Sequence, residues 1–167
     1  YEPGSTFKIF TIATALENNY ASLNDHFNCK GSIRFQGTVI RDIDPHGYQD
    51  LTEVMKNSCN VGVIEVGTRM DEKIFADTIR NFGFGQLTDV QMPGEAAGLF
   101  RPVEQWSKLS IASLSIGQEI SVTPLQLAMA TAAIANDGVL MKPLIVKQVL
   151  DSESNIIKEY HPEKVRQ

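Results

Sequence analysis

The chain is 167 residues long, which is enough for one domain with a hydrophobic core. Hydrophobic residues make up 43% of the sequence and charged residues 21%, as in an ordinary globular fold. The net charge of -5 argues against a nucleic-acid groove or an anionic membrane surface as the partner.

The first fifty residues predict one buried helix followed by a polar segment. Apolar residues occupy most faces of the stretch 5–19, so we expect a helix in the centre of a domain there. The segment 21–50 is rich in polar residues and glycines. Within it, the alternation near 32–42 predicts a short β-hairpin whose turn is Gln36-Gly37.

The middle of the chain predicts three further helices. A helix over 51–57 is expected to begin with a capping box formed by Asp50 and Glu53. Helical runs then follow over 61–70 and 71–83.

The last third of the chain predicts two helices and a hairpin. The segment 83–102 carries four glycines and two prolines, which favour a long loop. Helical periodicity returns over 103–115, and Thr123-Pro124 is a strong start signal for a helix that ends at Ala135. Alternating residues near 143–160 predict a β-hairpin. We therefore expect an α+β fold that is mostly helical.

A possible nucleophile and its base open the chain. Ser5 follows a Pro-Gly turn, and Lys8 lies three residues later, so both side chains fall on one face of a helix. Serine needs a base to become a nucleophile, and a lysine kept neutral by desolvation can supply it. By itself this pattern is equally typical of a serine that caps a helix beside an exposed lysine.

A second motif makes the catalytic interpretation specific. Ser58 and Asn60 form an S-x-N pattern 53 residues after Ser5, between two predicted helices. With their flanks, the two motifs resemble the transpeptidase domain of class B penicillin-binding proteins. The stretches that carry the resemblance are 1–8, 56–62, 81–85, 94–99, 106–107, 115–128 and 134–138.

The resemblance implies a fold, an activity and a set of roles. The fold is the penicillin-binding transpeptidase fold, here a single partial domain over 1–167 with a helical part over 5–138 and the start of a sheet over 143–160. Ser5 attacks the penultimate D-alanine of a peptidoglycan stem peptide, and Lys8 takes the serine proton. Ser58 relays a proton to the leaving amine, and Asn60 binds the substrate amide and holds Lys8.

Two further residues are candidates for the substrate cleft. Gly117 and Gln118 line it through their backbone or form a plain turn, and the sequence leaves both alternatives open. The resemblance also implies that β-lactams are covalent inhibitors that acylate Ser5.

The resemblance further implies a cellular setting. The expected location is extracytoplasmic, in the periplasm or at the outer face of the cytoplasmic membrane. An anchor would precede residue 1, and the parent protein would meet partners in cell-wall synthesis during elongation or division. We expect no cofactor, no metal and no nucleic acid.

One motif of the family is absent from these residues. No K-[ST]-G or H-[ST]-G pattern occurs, and we expect the chain to be a piece cut before that strand and inactive or crippled alone. The hairpin near 143–160 would then have an unpaired edge, which favours dimerisation.

The sequence leaves two alternatives to a transpeptidase. A serine β-lactamase-like hydrolase of class A would need a glutamate in an E-x-x-L-N setting, which is absent, and one of class D would carry an apolar residue in place of Asn60. A penicillin-sensing receptor domain is the second alternative, and the stretch 115–128 argues against it.

The remaining reactive residues have plainer interpretations. Cys29 and Cys59 could pair, but two cysteines make no disulfide framework, so we favour free thiols. His26, His46 and His161 show no metal-ligand spacing and are expected at the surface.

Overall fold

A computed structural model describes all 167 residues and confirms the α+β fold class. Contacts divide the chain into two compact units. The first unit is Tyr1–Ile79 with Phe100–Ser121, and the second is Arg80–Leu99 with Val122–Gln167. The single partial domain predicted over 1–167 stays a prediction.

Helices form most of the first unit. A 3₁₀ turn at Gly4–Phe7 leads into the first of them, and the helices are α1 (Lys8–Glu17), α2 (Leu51–Lys56), α3 (Asn60–Gly67), α4 (Glu72–Asn81, which runs past the end of the unit) and α5 (Ser110–Ser115). Helix α3 packs against both α1 and α5. Gly67 leaves no room for a Cβ beside Ser115, so these helices approach closely. The central side chains, among them Phe7, Phe10 and Ile64, are fully buried.

Two antiparallel strand pairs cover residues 26–50. Strands β2 (Ser32–Phe35) and β3 (Thr38–Arg41) form the predicted hairpin, with positive φ at both Gln36 and Gly37, as a type I′ turn requires. Strands β1 (His26–Cys29) and β4 (Gly47–Asp50) were not predicted. Each is four residues long, too short for its alternation to stand out in a polar segment.

The second unit is built on one capped helix. Helix α6 (Pro124–Ala135) begins where predicted, with a capping box between Thr123 and Gln126. The buried Gln126 amide also donates to the carbonyls of Gln86 and Ala97, which holds the loop over 83–102.

Short strands complete the second unit. Strand β5 (Leu140–Met141) pairs with β8 (Lys164–Arg166), and β6 (Gln148–Leu150) pairs with β7 (Ile156–Glu159). The second pair confirms the hairpin predicted near 143–160.

The continuous helix predicted over 103–115 is wrong. A 3₁₀ turn at Val103–Gln105 is followed by extended backbone at Trp106, and α5 begins only at Ser110. The Ser110 hydroxyl accepts a hydrogen bond from the Ser107 backbone, and such local serine bonds compete with the helical pattern. Trp106 instead packs edge-on against Phe75 and Phe100.

Candidate active site

Ser5 lies in the 3₁₀ turn that precedes α1. Gly4 has a φ of +55°, which turns the chain so that the exposed Ser5 side chain faces solvent. The Thr6 hydroxyl donates to the Pro3 carbonyl at 2.8 Å and stabilises this turn. A hydroxyl at the start of a helix is thus presented to any ligand that reaches this face.

Lys8 joins the two sequence motifs. Its side chain is buried, and its Nζ donates to the carbonyl oxygen of Ser58 at 2.5 Å and to the Ser58 Oγ at 3.1 Å. No hydrogen bond joins Lys8 to the Ser5 hydroxyl in the structure. Burial lowers the pKa of the Lys8 amine, and the negative charge of Asp42 partly opposes this shift. The amine is therefore easier to deprotonate than an ordinary lysine.

The second motif turns sharply before α3. Ser58 is exposed and has a φ of +53°, and its carbonyl faces Lys8. Asn60 is the first residue of α3, and its Nδ2 donates to the Arg41 carbonyl at 3.0 Å. The predicted contact between Asn60 and Lys8 is thus replaced in this structure by a contact with the end of β3.

Gly117 supports the turn that carries Ser5. Its carbonyl accepts a hydrogen bond from the Gly4 backbone at 3.0 Å, and its φ is +74°. A Cβ at this position would overlap the Gly4 carbonyl oxygen and come within 2.7 Å of the Phe7 Cβ. Gln118 is exposed beside this contact and free to meet a ligand.

Sequence reasoning missed the charged residues that hold this loop. The Glu119 backbone N–H donates to the Glu2 carboxylate at 2.9 Å. The Glu119 carboxylate accepts hydrogen bonds from Arg101 and from the Ser110 hydroxyl. The partners are separated by 117, 18 and 9 positions, so no local pattern in the sequence could have identified them.

Cys59 lies behind the second motif and is fully buried. Burial, with the neighbouring Asp42 and Cys29, raises the pKa of the Cys59 thiol to about 12. Its Sγ also accepts a hydrogen bond from the Gly62 backbone at 3.3 Å and caps α3. Both cysteines are free thiols, as predicted. His46, expected at the surface, instead has a buried Nε2.

Comparisons with known proteins agree with this arrangement of motifs. A sequence model of the penicillin-binding protein transpeptidase domain matches residues 1–167. Penicillin-binding protein PbpB of Mycolicibacterium smegmatis is 39% identical over 168 residues, which cover 99% of this chain and 26% of that protein. Peptidoglycan D,D-transpeptidase FtsI of Escherichia coli is 35% identical over 149 residues, which cover 89% and 25%.

Solved structures give the same result. Penicillin-binding protein 3 of Mycobacterium tuberculosis, complexed with aztreonam, superposes with a TM-score of 0.88 at 37% identity, over 99% of this chain and 38% of that chain. The chain spans about a quarter of the length of the two curated relatives, PbpB and FtsI.

Proposed function

Since this chain belongs to the penicillin-binding protein transpeptidase family, we propose that it carries the acylation site of a peptidoglycan D,D-transpeptidase. The Ser5 oxygen attacks the carbonyl of the penultimate D-alanine of a stem peptide. The C–N bond to the terminal D-alanine breaks, and that amine leaves with a proton. An amine of a second stem peptide then attacks the ester, forms the cross-link and frees Ser5.

One observation carries the proposal: the Lys8 amine is buried, has a lowered pKa and donates to the Ser58 hydroxyl. A lysine in this state accepts the Ser5 proton more readily than a solvated one. The hydrogen bond to Ser58 supplies a short path by which that proton reaches the departing amine. Lys8 is therefore the general base, and Ser58 is the relay.

The remaining site residues receive roles in positioning and binding. Asn60 is the first residue of α3, and its amide nitrogen donates to the Arg41 carbonyl. The amide oxygen of Asn60 can then accept a hydrogen bond from a substrate amide. The exposed Gln118 lies next to the Gly117 turn and contacts the stem peptide in this proposal. Gly117 itself acts through Gly4, because its carbonyl is already bonded there.

β-Lactams are the expected inhibitors. Their strained amide resembles the D-Ala-D-Ala bond, so attack by Ser5 opens the ring and leaves an ester on the enzyme. Among the relatives, the Mycobacterium tuberculosis structure was solved with the β-lactam aztreonam. We propose the same class of ligand for this chain.

The cellular setting proposed for the parent protein is the cell-wall side of the cytoplasmic membrane, with an anchor and partners in wall synthesis. None of the helices in this structure is both long and apolar enough to span a bilayer. We also propose that the chain can dimerise through the edge of the β6–β7 hairpin, whose strand β7 is exposed at all four positions.

The fate of the acyl-enzyme tests the proposed function. The full-length protein, with and without Ser5→Ala, is incubated with a D-Ala-D-Ala donor peptide and an amine acceptor, and products are weighed by mass spectrometry. A cross-linked peptide formed only by the wild type is the expected result. Rapid release of hydrolysed donor or penicillin, without cross-linking, would favour a hydrolase and contradict the proposal. A stable adduct without any turnover of donor peptide would favour a sensor.

A further inference from the structure

A cluster of metal-binding side chains lies behind the second motif. Cys29 ends β1, Asp42 follows β3 and Cys59 precedes α3. Their ligand atoms all lie within 4.8 Å of one another. The acylation chemistry uses none of these three groups, and in this structure the Cys29 thiol donates a hydrogen bond to the Asp42 carboxylate.

The spacing within the cluster fits a tetrahedral metal site. The Cys29 Sγ lies 3.6 Å from the Asp42 Oδ2. Bonds of about 2.3 Å to sulfur and about 2.1 Å to oxygen place adjacent ligands of a tetrahedral zinc ion about 3.6 Å apart. The two donors thus already stand at the separation of neighbouring ligands.

A fourth donor is independent of these three. The Nε2 of His46 is buried and makes no hydrogen bond. It lies 3.7 Å from the Asp42 Oδ1, too far for a hydrogen bond but within reach of an ion bound to Asp42. A buried imidazole nitrogen without a partner is costly, and a metal ion would satisfy it.

We propose that this chain binds one zinc-type divalent cation through two thiolates, one carboxylate and one imidazole. The ligands are Cys29, Asp42, His46 and Cys59. Two thiolates favour zinc over magnesium or calcium, which prefer oxygen ligands. Four protein ligands close the coordination shell, which is the mark of a structural site.

The site would fix the second motif in place. Cys59 lies between Ser58 and Asn60, and the ion would tie it to β1 and to the loop that follows β3. Two contacts already join the same segments: the Asn60 amide donates to Arg41, and the Val61 backbone donates to Asp42. None of the four ligands takes part in the proposed transpeptidase reaction, so zinc binding and acylation are tested separately.

Metal content of the full-length wild-type protein is the first test. The protein is purified without chelator and its zinc is measured by elemental mass spectrometry. We expect about one zinc per chain, and cobalt substituted for it should show thiolate charge-transfer bands and the absorption of a tetrahedral ion. Metal-free protein that takes up no zinc would overturn the proposal. So would a Cys29–Cys59 disulfide, detected as thiols that react with alkylating reagents only after reduction.

Single-ligand variants provide the second test. His46→Gln should lose most of its zinc and change the cobalt spectrum while the thiolate bands persist. Cys29→Ser should weaken those bands. His161→Gln is the matched control, because His161 is exposed and lies in the second unit. Unchanged zinc in both ligand variants would refute the assignment, even if penicillin binding remained intact.

Discussion

Replacing Gly117 by alanine should displace the turn that carries Ser5. Alanine in the left-handed region costs about 1–2 kcal/mol. The added methyl group would overlap the Gly4 carbonyl oxygen and crowd Phe7, and overpacking of this kind costs about 1–3 kcal/mol. We therefore expect Gly117→Ala to lower the free energy of unfolding by about 2–5 kcal/mol.

The same methyl group should slow acylation. Relief of the overlap must shift Gly4, which immediately precedes Ser5, and a misplacement of about 1 Å can cost about 100-fold in rate. Gly37→Ala is the matched control, since Gly37 also has positive φ but its Cβ would meet nothing within 4 Å. Urea denaturation and the rate of labelling by a fluorescent penicillin provide the two readouts. Equal destabilisation of both variants, with wild-type labelling in Gly117→Ala, would refute the reasoning.

Three other predictions concern the site and the hairpin. Burial lowers the pKa of Lys8, so the free energy of unfolding should rise with pH from that lowered pKa up to about 10.4, the pKa of an unfolded lysine. Urea titrations of Lys8→Met should show no such rise, and the variant should lose acylation. The same pH dependence in Lys8→Met would contradict the role of burial. Asn60→Ala should cost about 0.5–1.5 kcal/mol through its bond to Arg41, whereas the control Asn24→Ala should be nearly neutral by the same measurement. The 167-residue chain should sediment partly as a dimer that Ile157→Lys disrupts, and a monomer at all concentrations would exclude the edge pairing.

Local signals predicted the helices that carry their own start signals. Asp50 and Glu53 form the predicted capping box, and α6 begins at the predicted Thr123-Pro124 signal, because a cap is encoded within four residues. The hairpin turn at Gln36-Gly37 was predictable for the same reason, and it is a type I′ turn. The prediction of a helix over 103–115 is wrong, since periodicity does not reveal that the Ser110 hydroxyl accepts a hydrogen bond from the Ser107 backbone N–H.

The candidate site was likewise predictable only in part. Motif spacing made Ser5, Lys8, Ser58 and Asn60 the candidate site residues, and the structure brings Lys8 to Ser58 across 50 residues. Motif spacing could not reveal that Asn60 bonds to Arg41 or that Glu119 anchors the Gly117 loop, because those contacts depend on tertiary packing. The donors around Asp42 also escaped detection, since each comes from a different element.

The most direct test of the acylation site is the intact mass of the protein after incubation with benzylpenicillin. We expect an adduct of one penicillin on the wild type and none on Ser5→Ala, while Ser22→Ala, a substitution at an exposed serine outside the motifs, keeps the adduct. An adduct that survives Ser5→Ala, or a folded full-length protein that never reacts, would contradict the assignment of Ser5 as the nucleophile.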